Sequence, residues 1–137
     1  MNIDYHINEV VMVDEFIDVL HKSGLAERRP VHDRQCMSGM LDNCNLIVSA
    51  RISGVLVGVA RSVTDFHYAC YLSDLAVDKS YQAIGIGIEL QRLTQAQLGP
   101  HCRLIVIAAP KAHEYYPKIG YANNPNCWVV TKDQKIG

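Results

Sequence analysis

Ile3, Tyr5 and Ile7 alternate with polar residues, and a period of two predicts a short strand. Val13, Phe16, Ile17 and Leu20 then recur at helical spacing, with Gly24 following as a C-cap. Ala26-Glu27-Arg28-Arg29-Pro30 reads as a charged loop, and Pro30 suits the start of a second helix. The apolar face of that helix would be Cys36, Met37, Met40, Leu41 and Cys44, a stripe that reads as core. From Leu46 the pattern changes. Leu46–Ala50 and Val55–Ala60 are β-rich runs around Ser53-Gly54 and predict a hairpin. Tyr71–Val77 is a third such run. Ile84 to Leu98 is helical, with Ile86, Leu90, Leu93 and Gln97 on one face and Gly99-Pro100 as the stop. Arg103–Ala109 is apolar without alternation, the pattern of a strand buried on both faces. A short helix, Ala112 to Ile119, ends at Gly120, and Trp128-Val129-Val130 predicts a last strand.

The predicted order is β, α, α, β, β, β, α, β, α, β. This is an α/β chain with a mixed, mostly antiparallel sheet of six or seven strands and flanking helices. A strand–helix–strand unit sits at its centre. The crossover through Ile84–Leu98 should make Tyr71–Val77 and Arg103–Ala109 parallel neighbours. No repeat or linker interrupts residues 1–137, which read as a single domain. A chain of that length can bury roughly 70% of the surface it exposes when unfolded.

Composition narrows the class. The chain is 49% hydrophobic and 20% charged, with a mean hydropathy of +0.02. Those values exclude a disordered chain, a collagen-like repeat and a membrane span. The formal charge is −1, from 13 Lys+Arg against 14 Asp+Glu. Such a balance gives no global field for nucleic acid or an anionic membrane, so neither is expected as a partner. The five cysteines, Cys36, Cys44, Cys70, Cys102 and Cys127, are odd in number and lack CxxC spacing. Free thiols are expected. Met1-Asn2-Ile3-Asp4 does not read as a signal peptide, and together these features point to a reduced, cytoplasmic protein. No metal site is expected: His32 and Cys36 are the only such pair at i,i+4 spacing, and structural zinc wants four ligands.

The most informative segment is Val77-Asp78-Lys79-Ser80-Tyr81-Gln82-Ala83-Ile84-Gly85-Ile86-Gly87, where a strand ends and a helix begins. A helix N-terminus carries four unpaired N–H groups and about half a positive charge. Gly85 and Gly87 are placed to let a phosphate approach that backbone. A tight turn with close helix–sheet packing would use the same glycines. Two better-known glycine motifs do not fit. No Gly-Lys-Ser/Thr is present, which excludes a P-loop. A dinucleotide fingerprint would open a doubly wound parallel sheet near the N-terminus, whereas this turn is late and the sheet mixed.

On these residues the sequence resembles the GNAT family of acetyl-CoA-dependent N-acetyltransferases. The resemblance covers most of the chain and is sharpest from Asp74 to Gly120. Leu75-Ala76-Val77 followed by Gln82-Ala83-Ile84-Gly85-Ile86-Gly87 is similar to the family's pyrophosphate-binding motif. Ala112-His113-Glu114-Tyr115-Tyr116-Pro117-Lys118-Ile119-Gly120-Tyr121 is similar to its second motif. Lys79 stands where proline is frequent, Ala83 and Ile84 where glycine and a basic residue are common, and Ala109 where many members have asparagine.

The resemblance implies the GNAT fold and direct transfer of acetyl from acetyl-CoA, the co-substrate, to a primary amine. Leu75, Ala76 and Val77 would hold the pantetheine arm or the carbonyl through backbone groups. Gln82, Ala83, Ile84, Gly85, Ile86 and Gly87 would hold the pyrophosphate. Tyr116 would bind the cofactor near its sulfur and act as acid to the leaving thiolate, with Tyr115 packing beside it. Asp74, at the cleft end of the central strand, is the candidate base, and His67 a weaker one. Glu27, Arg28, Arg29 and His32 lie in the loop that usually borders the acceptor slot in this family. The acceptor would be a small-molecule amine, a protein N-terminus or a lysine. A non-catalytic acyl-CoA-binding or sensing module on the same fold is the alternative, and a binder of another nucleotide is the third reading. The apolar Cys127–Val130 run, expected at a sheet edge, predicts a homodimer.

Overall fold

The sheet starts with β1 (Asp4–Ile7), antiparallel to β2 (Leu46–Ile52). Ser53 and Gly54, at φ 49° and 80°, turn β2 back into β3 (Val55–Thr64). Two successive left-handed residues match the twist of a tight hairpin, so the predicted turn forms where the sequence places it. β4 (Ala69–Val77) follows antiparallel to β3. In the turn between them one carboxylate oxygen of Asp65 accepts from the N–H groups of His67, Tyr68 and Ala69. β5 (Arg103–Ile105) lies parallel to β4, giving five strands in the order β1-β2-β3-β4-β5. This computed structural model describes residues 1–137, in two compact units, Met1–Ile107 and Ala108–Gly137.

Within the first unit helices cover both faces of the sheet. α1 (Val13–Ser23) and α2 (Arg34–Asn43) cover one face, where Phe16, Val19, Leu20 and Met37 bury against Ile47, Leu56, Val59 and Ala76. Gly24, at φ 86°, caps α1 as the sequence predicts. α2 starts after Pro30 rather than at it, because the Asp33 side chain accepts from the Cys36 N–H and supplies the N-cap. That start leaves Cys36 exposed while Met37, Met40, Leu41 and Cys44 pack inward. The other face carries α3 (Ile86–Ala96), whose Ile86 and Leu90 pack on Val48, Ala50, Val57, Ala60 and Leu72. A Cβ on Gly58 would stand 3.1 Å from both Ile86 Cγ2 and Leu90 Cδ1. Gly58 therefore lets α3 lie close against β3 and fixes where its N-terminus sits.

The structure corrects several expectations. The sheet has five strands, not six or seven. Arg103–Ala109 is a strand only over its first three residues, and Ile105 and Ile107 are about half exposed. β5 is an edge strand that pairs with β4 over three residues, Arg103–Ile105, and then leaves it, so it is not buried on both faces. Trp128-Val129-Val130 forms no strand, and Trp128 is 89% exposed. α3 begins at Ile86 rather than Ile84, because Ala83 and Gly85 both adopt left-handed φ. Leu93 packs against the same cluster as Ile86 and Leu90, as predicted, Gln91 and Thr94 are buried beside it, and Gln97 is exposed rather than on the inner face. The Thr94 hydroxyl donates to the Leu90 carbonyl at 2.7 Å, which makes its burial tolerable.

The second unit holds a short turn at Pro110–Ala112 and the four-residue helix α4 (Tyr115–Lys118). Gly120, at φ 111°, ends it, and the Tyr121 N–H donates back to the Tyr116 carbonyl at 3.1 Å.

Candidate active site

β4 changes character at Ser73. Arg61 of β3 pairs with Asp74, but the next residue, Ser62, pairs with Leu72, so Ser73 is an extra residue in β4. This bulge re-aims the side chains on either side of it. Leu72 packs on the α3 face together with Leu75 and Val77, while Ala76 packs on the α1–α2 face. On the other side of β4, pairing with β5 stops at Tyr71, two residues before the bulge.

From Leu72 onward β4 therefore has one free edge. Its orientation follows from the ladder to β3. The Asp78 N–H donates to the Val57 carbonyl at 2.8 Å. Alternation along an antiparallel pair then turns the N–H and C=O of Leu75 and Val77 away from β3, toward the free edge. The Val77 carbonyl is taken there by Gln82 Nε2, at 2.9 Å. That bond ties the end of β4 to the glycine turn. The Asp78 carboxylate accepts from the Ser80 N–H at 2.9 Å and closes the intervening turn, Lys79–Tyr81.

The glycine turn opens α3 without a side-chain cap. The first helical bond runs from the Glu89 N–H to the Gly85 carbonyl, so the N–H groups of Gly85, Ile86, Gly87 and Ile88 precede the intrahelical ladder. A Cβ added to Gly85 would meet nothing within 4 Å, so the space beside the turn is open. A left-handed residue leading into a helix gathers successive N–H groups into a concavity for an anion. Ala83 holds φ 65° without being glycine. Such strain, roughly 1–2 kcal/mol, persists where the surroundings impose it. Leu75–Val77 and Gln82–Gly87, two separate stretches of sequence, thus form one continuous arrangement. It offers free strand amides at one end and an uncapped helix N-terminus at the other. The donor set fits an extended, amide-bearing arm that ends in a phosphorylated group.

Asp74 lies beside this edge, fully buried. One oxygen accepts from Arg29 Nε and the other from Arg61 Nε, each at 2.5 Å. Arg61 is itself buried, and its Nη1 donates to the Met40 carbonyl at 3.1 Å. Arg29 Nη2 donates to the Ser73 carbonyl at 2.7 Å. Both oxygens of the candidate base are therefore engaged by guanidinium groups. Sequence reasoning missed this pairing. The available signal was Arg61, a charge inside the apolar run Val59-Ala60-Arg61-Ser62-Val63, which in a buried strand demands an anion.

Tyr116 belongs to the second unit and is described there alone. Its ring lies edge-on to Tyr115 and Tyr121, with centroids 5.1 and 5.2 Å away. Burial pushes the Tyr116 hydroxyl pKa up, and Tyr115 adds to the shift. The group is thus a hydrogen-bond donor at neutral pH. His67 stands in the Asp65 turn, remote in the fold's topology from the end of β4. No three His, Cys, Asp or Glu side chains converge in a way that could hold a metal ion.

A family model for the GNAT acetyltransferase domain matches residues 16–128. The chain belongs to the GNAT family. No curated protein matches it. Among solved structures, a probable acetyltransferase of unknown function from meticillin-resistant Staphylococcus aureus superposes at TM-score 0.75. It has 18% identity, over 95% of this chain and 98% of that one. The ribosomal-protein-alanine N-acetyltransferase of Brucella melitensis gives TM-score 0.71 at 18% identity, over 95% and 99%. An aminoglycoside N-acetyltransferase in complex with CoA gives 0.69 at 14%, over 97% and 96%. At such identities the likeness is one of fold. The GNAT domain matched in sequence spans the whole β4–α3 arrangement and continues through α4. No helix of this GNAT chain is long and apolar enough to cross a membrane.

Proposed function

We propose that this chain is an N-acetyltransferase that moves acetyl from acetyl-CoA to a primary amine by direct attack in a ternary complex. The observation that carries the reading is the continuity from the free β4 edge to the uncapped α3 N-terminus, joined by the Gln82–Val77 bond. When bound, acetyl-CoA supplies the acetyl group as an activated thioester.

The chain's own groups then have distinct tasks. The amides of Gly85, Ile86, Gly87 and Ile88, with the helix dipole behind them, bind the pyrophosphate. Ala83 and Ile84 shape the approach, and Gln82 locks the turn to the strand. Leu75 and Val77 align the pantetheine arm and the thioester carbonyl through their backbone groups, and Ala76, whose own backbone groups face β3, holds the strand between them. The Tyr116 hydroxyl, kept protonated by its surroundings, donates to the departing sulfur. Asp74 was the expected base, but its burial and its two guanidinium partners support a positioning role instead. An alkyl ammonium with pKa near 10.4 is a free amine in only about one molecule in 2,500 at pH 7. In this reading the acceptor reacts from that free fraction and its proton leaves to water.

The acceptor class is a small-molecule amine or a protein amino group. Two structural neighbours carry names for those two chemistries, ribosomal-protein alanine and aminoglycoside. The exposed Trp128–Val130 segment supports a homodimer in solution, and the chemistry suits a cytoplasmic enzyme. Light scattering at high concentration that returns the monomer mass contradicts the dimer. A non-catalytic acyl-CoA sensor on the same fold is the second reading, favoured by the burial of Asp74 between two guanidinium groups. Acetyl-CoA is mixed with an amine panel and free thiol is followed. Amine-dependent release supports the transferase; saturable binding without release supports the sensor. Preference for ATP over acetyl-CoA contradicts both.

A further inference from the structure

We propose that Arg29 is a positioning residue for acetyl-CoA, holding the Ser73 bulge so that the free backbone edge of β4 meets the acyl arm. The proposal rests on the acetyltransferase reading above. Arg29 lies in the loop between α1 and α2, 44 residues from Ser73 and 45 from Asp74. All three of its guanidinium nitrogens are engaged. Nε donates to Asp74 Oδ1 at 2.5 Å, Nη2 to the Ser73 carbonyl at 2.7 Å and Nη1 to the Arg28 carbonyl at 2.8 Å.

A planar fork on two adjacent residues does more than neutralise a charge. It fixes the angle between the Ser73 carbonyl and the Asp74 side chain, and with it the local twist of the bulge. The bulge sets which way the next amides point. Leu75 and Val77 follow directly, and they turn their N–H groups to the side where β5 has already left. Neutralising Asp74 does not itself require Arg29, because Arg61 already stands on its other oxygen. The second cation is explained by the carbonyl it also holds. A lysine at this position keeps the charge but lacks the rigid planar fork that fixes the two acceptors at one angle.

The test uses Arg29→Lys and Arg29→Gln in the full chain; Arg61 still neutralises Asp74 in the second, which keeps the core pair intact. Two quantities are read. One is the affinity for coenzyme A by calorimetry. The other is amide hydrogen exchange in the unliganded protein. Both variants should bind coenzyme A about tenfold more weakly, the worth of one or two misaimed hydrogen bonds. Exchange should quicken over residues 71–78 and stay unchanged in α1 and α3. Wild-type affinity in a folded Arg29→Lys or Arg29→Gln overturns the proposal, as does unchanged exchange at residues 71–78. A wild-type protein that binds no coenzyme A overturns the acetyltransferase reading, and this proposal with it.

Discussion

Arg29 Nε and Asp74 Oδ1 meet at 2.5 Å across 45 residues of sequence, and the carboxylate they share with Arg61 is entirely buried. Removing its charge strands two guanidinium groups, one of them nearly as buried as Asp74 itself. Asp74→Asn should therefore cost ~3–5 kcal/mol of folding stability, the usual penalty for breaking a buried ion pair from one side. Urea denaturation measures it. A loss below ~1 kcal/mol would mean that water reaches the cluster and that Asp74 has room for a proton-transfer role after all.

Ala83 gives a prediction of opposite sign. Its φ of 65° is one that glycine adopts freely and alanine resists by ~1–2 kcal/mol. Glycine also loosens the unfolded chain by ~0.4–1 kcal/mol. Ala83→Gly should leave stability unchanged or raise it by up to ~1.6 kcal/mol, with coenzyme A binding retained. A thermal melt showing ~1 kcal/mol of destabilisation would mean that the Ala83 methyl makes a contact the turn depends on.

Much of the fold is legible in the sequence, and the parts that are not share a physical cause. Val13, Phe16, Leu20 and Gly24 define α1, and Ser53-Gly54 defines the hairpin, because each signal is local. The glycine turn is legible for the same reason. The bulge at Ser73 is invisible, since it is set by register against β3 rather than by composition. Asp74 alternates as a strand residue should, yet its partners come from a distant loop and from the neighbouring strand. A carboxylate near the end of a strand reads from sequence as a candidate base, and nothing local in the sequence signals those partners. Trp128-Val129-Val130 has strand-like residues but forms no strand, and propensity alone does not make one.

Tyr116 separates binding from chemistry. If its hydroxyl donates to the departing sulfur, Tyr116→Phe should lower kcat about a hundredfold while coenzyme A affinity stays nearly intact. Tyr115→Phe should do little. The pKa shift sets the pH window. The folded value lies above the ordinary ~10, so the neutral form is favoured. Any stability or activity that depends on it is complete below pH 10 and is lost only as pH rises through the raised value. A pH–rate profile should show no Tyr116-dependent falling limb below about pH 10. Full turnover in Tyr116→Phe, with loss in Tyr115→Phe, would shift the acid to the neighbouring ring.

The central claim is that the α3 N-terminus and the free edge of β4 hold acetyl-CoA, and calorimetric titration of acetyl-CoA into wild type and Gly87→Glu tests it most directly. Gly87 is in the first turn of α3, where a glutamate adds bulk and negative charge beside the phosphate-binding amides. Wild type should saturate at one acetyl-CoA per chain. Gly87→Glu should lose at least about a hundredfold in affinity while its circular dichroism melt stays cooperative. Equal affinity in the two proteins, or no binding to wild type, would contradict the account.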